Sequence, residues 1–481
     1  MRTRLLLYLL GWTLMTSGAA LLLPVPFSLA AGDGAVLAFV LPSMVFFLLG
    51  GLLARAGREH PERVLVREGA YFLVGAWLVL TAAAMLPYML SGILPFLDAL
   101  SEGVSGITTT RLTLLPADAP RSLVFWRSLT QWLGGLYIIF LLVTVMPQTS
   151  AWFGMALVMP RGISTGRLLP SMRRLAWRVG RVYIWATAVF AAVFAGLGLS
   201  TFDALNLSMV TLATGGCYDA APLGGTRGVL LSFALMAAML FASGNFFFYA
   251  ETIRRRSFSE SDGANEMKAV LRLVAVAGLI VSMHLWKNGV YGFWESLRQG
   301  FFATAAFLST TGTSPEMFAW WPDFDRFLLL LLAFIGGSIA SSAGGLKILR
   351  VMVLAKAARQ ELVRTLHPRM VFRVEVLNRV VPNAMVGYLL AFFALYVGSF
   401  FGGAILFSAM GIELLSAMGL SVACLTSAGP VALLVGDAGL YTAIGESGRM
   451  VCAALMLLGR LEIFSFLFVL QTFLGRWKGR W

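Results

Sequence analysis

Ser309-Thr310-Thr311-Gly312-Thr313 sets hydroxyl side chains and a glycine between two long apolar stretches. Side chains this small leave backbone carbonyls as the dominant polar groups. Carbonyls at a tight bend can replace the hydration shell of a cation inside a membrane. One such cluster reads equally as an ordinary turn. Related clusters recur at Thr108-Thr109-Thr110-Arg111, Ala213-Thr214-Gly215-Gly216 and Thr426-Ser427-Ala428-Gly429, at intervals of roughly a hundred residues.

A short, semi-polar segment precedes each cluster, at 96–107, 202–212, 293–308 and 412–425. Each opens on a bulky apolar residue, an acid, one further residue and a leucine: Leu97-Asp98-Ala99-Leu100, Phe202-Asp203-Ala204-Leu205, Trp294-Glu295-Ser296-Leu297 and Ile412-Glu413-Leu414-Leu415. An acid in the first turn suits the positive end of a helix dipole, so the negative end is directed at the bend, where a cation would sit. The acids therefore read first as helix caps, with a secondary effect of concentrating cations at the mouth.

The elements that must hold these bends are apolar. The chain is 59% hydrophobic and 12% charged with mean hydropathy +0.82, which excludes a soluble globular protein. Spanning helices are expected at 5–23, 35–54, 70–89, 123–146, 182–199, 229–249, 270–286, 327–346, 385–407 and 450–473. The N-terminus imitates a signal peptide, but its apolar run is long and a second span follows at once, so it reads as a retained helix.

The formal charge of +14 sits in short connections between spans, a topogenic pattern and not a nucleic-acid footprint. Arg55, Arg58, Arg63 and Arg67 mark one cytoplasmic loop, and Arg161, Arg167, Arg173, Arg174 and Arg178 a second. Arg254, Arg255 and Arg256 mark a third, and Arg359, Arg364, Arg369 and Arg373 a fourth. Arg2, Arg4, Arg476, Lys478 and Arg480 place both termini on the same side. For every basic loop to stay inside, the four short segments must enter and leave by the outer face. They are re-entrant, and non-helical backbone at that depth must be buried in protein or line water.

The expected architecture is an all-α polytopic membrane protein. A two-helix N-terminal extension (1–66) precedes four fused span–re-entrant helix–bend–span repeats at 67–160, 161–262, 263–372 and 373–481, arranged around a pseudo-fourfold axis. The three cysteines and three histidines are scattered and compose neither a disulfide framework nor a metal site. The acids recur singly, one per repeat, which argues against a membrane enzyme. Leu346 rather than glycine precedes Lys347, so Gly336–Lys347 is no nucleotide P-loop.

Phe125-Trp126-Arg127-Ser128 with Gln131-Trp132-Leu133-Gly134-Gly135, Gly336-Gly337 through Ser341-Ser342-Ala343-Gly344-Gly345-Leu346-Lys347, His367-Pro368-Arg369 and Gly459-Arg460-Leu461-Glu462-Ile463-Phe464 resemble the Trk/Ktr/HKT superfamily of potassium transporters, most closely its TrkH-type bacterial members. The resemblance covers nearly the whole chain and implies monovalent-cation transport, potassium favoured, across the bacterial inner membrane. It implies a filter of Thr108, Thr109, Thr110, Arg111, Thr214, Gly215, Gly216, Thr310, Thr311, Gly312, Thr426, Ser427, Ala428 and Gly429. Potassium is expected at Thr109, Thr110, Gly215, Thr311, Gly312 and Ala428, with no other cofactor. Gly336, Gly337, Gly344, Gly345, Lys347 and Arg460 fall in the implied gate. The implied partners are a second copy, forming a homodimer, and a cytosolic nucleotide-binding ring of the TrkA-like kind.

The first filter departs from the family's Thr-Thr-Thr-Gly, with Arg111 in place of the glycine. Two unit charges about 4 Å apart repel by roughly 4 kcal/mol at an effective dielectric of about 20. At about 1.4 kcal/mol per decade this lowers ion occupancy roughly a thousandfold. Either the guanidinium turns away from the axis, toward Asp98 or Glu102, or the chain is a non-conducting or altered-selectivity (sodium-permeable) regulatory relative. The fourth filter departs more mildly from the family's Asn-Asn-Leu-Gly.

Overall fold

The computed structural model describes residues 3–57, 66–145, 168–216, 225–255, 262–312, 318–367, 374–376, 379–429, 431–435, 439–461 and 463. Many arginines used above to orient the chain lie outside these residues, including Arg58, Arg63, Arg161, Arg167, Arg256, Arg369 and Arg373. Cys217, Pro368, Glu462 and Phe464 lie outside them as well.

Among the described residues the chain is almost wholly helical. An N-terminal unit of α1 (Thr3–Leu21), α2 (Val25–Ala31) and α3 (Val36–Ala56) leads into four repeats. The first comprises α4 (Val66–Leu90), the short α5 (Phe96–Ile107) and α6 (Arg121–Val145). The second comprises α7 (Leu168–Gly196), the short α8 (Thr201–Leu212), α9 (Gly225–Ala242) and α10 (Phe246–Arg255). The third comprises α11 (Asp262–Lys287), the short α12 (Phe293–Leu308), α13 (Asp323–Ile335) and α14 (Ile348–Leu366). A two-residue antiparallel pair, β1 (Glu375–Val376) and β2 (Arg379–Val380), precedes the fourth. That repeat holds α15 (Asn383–Ala409), the short α16 (Leu414–Thr426), α17 (Val431–Val435), α18 (Leu440–Ala443) and α19 (Glu446–Arg460).

Among the described residues seven helical stretches are long and apolar enough to cross a membrane, the first being Thr3–Ala31. Their outward faces are apolar: Leu37, Leu41, Met44, Leu48 and Leu52 of α3 are all exposed, a stripe at helical spacing that lipid would cover. Two expected spans are broken. The run 327–346 is helical only to Ile335 and continues as a buried loop, and 229–249 is interrupted between α9 and α10 at Ser243-Gly244-Asn245. In both places glycine lowers helix propensity and serine or asparagine competes for backbone groups, effects that mean hydropathy does not register.

The short helices are central. α5 is buried from Ser101 through Ile107, α12 from Phe302 through Leu308 and α16 from Gly419 through Thr426. Pro95 and Gly292 flank α5 and α12, and the Ser200 hydroxyl accepts the Asp203 amide of α8 at 3.1 Å. Asp203 and Glu295 act within their own helices, whereas Asp98 reaches across to the fourth repeat. Asp98 pairs with Arg449 of α19 at 2.5 Å, Ser200 donates to the Asp203 carboxylate at 2.7 Å, and Glu295 pairs with Arg298.

Close approach of backbones fixes the packing. Gly11 of α1 lies against Gly50 and Ala54 of α3, and Gly134 of α6 sits on the Ile107 carbonyl at the end of α5. A methyl at Gly134 would lie 2.8 Å from the Ile107 carbonyl carbon, whereas one at Gly51 on the lipid-facing side of α3 meets nothing within 4 Å. Gly134→Ala is expected to destabilise by about 1–3 kcal/mol, read as a lower unfolding temperature in detergent, while Gly51→Ala leaves that temperature unchanged.

Candidate ion-conduction site

The four bends share a backbone signature. Thr109, Thr214, Thr310 and Ser427 take the left-handed conformation, with φ of 58°, 55°, 58° and 52°. Two residues on, Arg111, Gly216 and Gly312 are left-handed again at 75°, 59° and 61°. Arg111 thus occupies a position that glycine fills in the next two repeats, at about 1–2 kcal/mol for a residue with a Cβ. Gly429 is not among the left-handed residues.

The amides of the bends turn back into their own short helices. Thr110 donates to Ser105 O at 2.9 Å, Gly215 to Val210 O at 2.8 Å, Gly312 to Ala306 O at 2.9 Å and Ala428 to Ala423 O at 3.0 Å. With those donors committed, the bend carbonyls become the groups available to a cation. No group of three or more His, Cys, Asp or Glu side chains that could hold a metal ion occurs among the described residues.

The bends meet. The Gly429 amide donates to Thr110 O at 2.6 Å, and a Cβ at Gly429 would lie 3.2 Å from the Arg111 carbonyl carbon. Glycine at 429 therefore serves close approach and not conformational freedom. The Arg111 guanidinium extends from the first bend to the third, where Nη1 donates to Gly312 O at 2.8 Å. It does not turn to either acid named above. Asp98 is held by Arg449, and Glu102 accepts from Leu114 N at 2.7 Å and Thr113 Oγ1 at 3.0 Å.

Beneath the bends lies the loop from Gly336 to Lys347. It is closed at its base by Leu346 N to Phe334 O at 3.0 Å and Lys347 N to Ile335 O at 2.8 Å. Gly336, Gly345 and Lys347 are left-handed, at φ of 74°, 76° and 77°. Gly344 N donates to Thr310 Oγ1 at 2.8 Å and Ser342 Oγ to Leu212 O at 2.8 Å, so the loop touches the third bend and the helix leading to the second. A Cβ at Gly344 would collide with the Thr426 carbonyl of the fourth. Arg460 completes the set. It is 5% exposed, and its Nε donates to Thr108 O at 2.7 Å and its Nη1 to Ser342 O at 2.9 Å, while Nη2 donates to Thr109 Oγ1. Lys347 Nζ donates to Ala343 O. A cavity of about 20 Å³ lies between the loop and Arg460, room for about one water and too little for a hydrated ion.

Two participants escaped the sequence reading. Glu266, fully buried in α11, accepts the Ile339 amide of the loop at 3.0 Å, and Asn245, at the α9–α10 break, donates to the same carboxylate at 3.2 Å. Glu266 sits near polar residues at the start of α11, where a carboxylate is unremarkable in sequence. Only a burial argument finds it.

Fold and site together define a polytopic helical membrane protein in which short helices each end in a bend and the first bend touches the third and the fourth. The TrkH family model, described as cation transport protein, matches residues 36–278 and 289–473. The chain belongs to the TrkH family. It is 30% identical over 477 residues to the Trk system potassium uptake protein TrkH of Halomonas elongata, covering 97% of this chain and 98% of that one. It is 29% identical to the TrkH of Escherichia coli over the same proportions. The crystal structure of the potassium transporter TrkH from Vibrio parahaemolyticus superposes with a TM-score of 0.85 at 27% identity, covering 98% and 99% of the two chains. The relatives are transport proteins, and the chain is no enzyme.

Removing the Arg460 side chain leaves Thr108 O and Ser342 O buried without that donor. Arg460→Ala is expected to destabilise by about 2–3 kcal/mol. Arg460→Lys, which retains the charge but lacks the planar fork, should recover only part of this. Thermal unfolding of the purified variants checks the order.

Proposed function

We propose that this chain conducts monovalent cations, potassium first, across the bacterial inner membrane along the axis where the four bends meet. The carrying observation is the shared left-handed signature at Thr109, Thr214, Thr310 and Ser427 with the bend amides turned away. In this reading potassium is coordinated at Thr109, Thr110, Gly215, Thr311, Gly312 and Ala428, and Thr108, Thr214, Gly216, Thr310, Thr426, Ser427 and Gly429 complete the filter. The repeats are 67–160, 161–262, 263–372 and 373–481 after the 1–66 extension. Gly336, Gly337, Gly344, Gly345, Lys347 and Arg460 form the gate. The assembly is a homodimer with cytoplasmic termini, opened by a cytosolic nucleotide-binding, TrkA-like ring, in keeping with relatives named as Trk system uptake proteins.

A second reading rests on one contact. The Arg111 guanidinium already holds the Gly312 carbonyl, a position this proposal gives to potassium. The native chain is then a non-conducting or altered-selectivity relative, sodium-permeable in the latter case, whose outer filter carries a tethered cation. Repulsion of the size estimated above corresponds to roughly a thousandfold loss of ion occupancy.

Rubidium and sodium uptake into proteoliposomes, with regulator present, separates the two. Arg111→Gly is expected to raise rubidium uptake at least about a hundredfold under the second reading, and to leave it near the native level under the first. Absence of uptake of any monovalent cation in both proteins sinks the conduction proposal.

A further inference from the structure

We infer that Glu266 and Asn245 form a latch by which the second repeat holds the intramembrane loop in its closed place. Glu266 is therefore a positioning residue for permeation. The inference rests on reading Gly336–Lys347 as the gate.

The loop is docked along the α9–α10 break by backbone bonds in both directions. Ser338 N donates to Ser243 O at 2.9 Å, and Phe246 N donates to Ala340 O at 2.9 Å. Ser342 Oγ also lies 3.3 Å from Ala242 O. The break thus supplies the carbonyl and amide that a continuous helix would have kept for itself. Glu266 sits across this joint with each oxygen committed, Oε1 to Ile339 N and Oε2 to Asn245 Nδ2. A fully buried carboxylate is expensive in a membrane protein unless its partners are fixed, and its retention here points to a task.

The orientation of Asn245 is dictated by its other contacts. Its Oδ1 accepts Phe247 N at 2.9 Å and Phe248 N at 3.1 Å, capping α10, so only Nδ2 remains to face Glu266. α10 runs from this cap to Arg254 and Arg255, residues of the third basic cluster. A displacement of that end would reach the latch through one short rigid helix.

This polarity makes the latch testable by exchange. Glu266→Gln sets an amide donor against the Asn245 donor, and Asn245 cannot flip without losing the α10 cap. Asn245→Asp sets two carboxylates against each other. The double variant restores a complementary pair, with the amide at 266 donating to the carboxylate at 245 and still accepting Ile339 N. The probe is a thiol in the loop, Ala340→Cys, at a position with 0% exposure. It is placed in a Cys217→Ser background that keeps Cys424 and Cys452, both buried. Labelling by a small water-soluble maleimide is followed by mass spectrometry, with Ser43→Cys in the α1–α3 contact as the control site.

Each single variant is expected to raise labelling at 340 about tenfold without moving the control, and the double variant to return it to within about threefold of the parent. Unchanged labelling at 340 in monodisperse Glu266→Gln protein, a rise at both sites together, or a double variant looser than either single one overturns the latch. Rubidium uptake in the Arg111→Gly background keeps the two readings apart. Labelling that rises while uptake stays level sinks the gate and leaves the latch. Uptake that rises with Ser342→Ala but not with Glu266→Gln sinks the latch and leaves the gate.

Discussion

A backbone carbonyl can serve a cation inside a membrane only if nothing else in the protein claims it, and a backbone amide at the same depth must be claimed by something. The four bends meet the second demand with one local device. A left-handed residue after each short helix turns the next amides back toward that helix, as Thr110, Gly215, Gly312 and Ala428 do. Burial of α5, α12 and α16 follows, because a re-entrant helix carrying such a bend cannot face lipid. So does the need for glycine where neighbouring backbones close on it, as at Gly134 against Ile107 and Gly344 against Thr426.

Against this background the first and fourth repeats stand apart. Gly429 gives its amide to Thr110 O, Arg111 reaches Gly312 O and Arg460 reaches Thr108 O, so carbonyls of the first and third bends are engaged from within the protein. Arg111 sits in a glycine conformation and carries a charge of the same sign as the cargo. Its long side chain spans from the first repeat to the third, which a residue confined to its own bend could not do. Coulomb repulsion and occupation of the carbonyl act in the same direction.

Below the bends, the loop is held by groups from its own repeat and from two others. Arg460 reaches it from the fourth, Leu212, Ser243 and Phe246 from the second, and Glu266, Thr310, Phe334 and Ile335 from the third. A segment tied on several sides by single hydrogen bonds has discrete ways to let go. That is the kind of bistability a gate needs.

The sequence by itself determined the place of each short helix and the residues of each bend. These rest on local physics: apolar runs, acids at helix starts, and small side chains at turns. The short segments 96–107 and 293–308 match α5 and α12 in full, and 202–212 and 412–425 fall within two residues of α8 and α16. The breaks at Ser243–Asn245 and after Ile335 were less legible, because the flanking residues remain apolar and mean hydropathy does not register a lost backbone bond. Only the tertiary structure decided where Arg111 points, why Gly429 must be glycine and what Glu266 does. Each depends on contacts between residues roughly seventy to more than three hundred positions apart, Ile339 to Glu266 at one extreme and Gly429 to Thr110 at the other. No periodicity within a repeat encodes which distant carbonyl a side chain will meet.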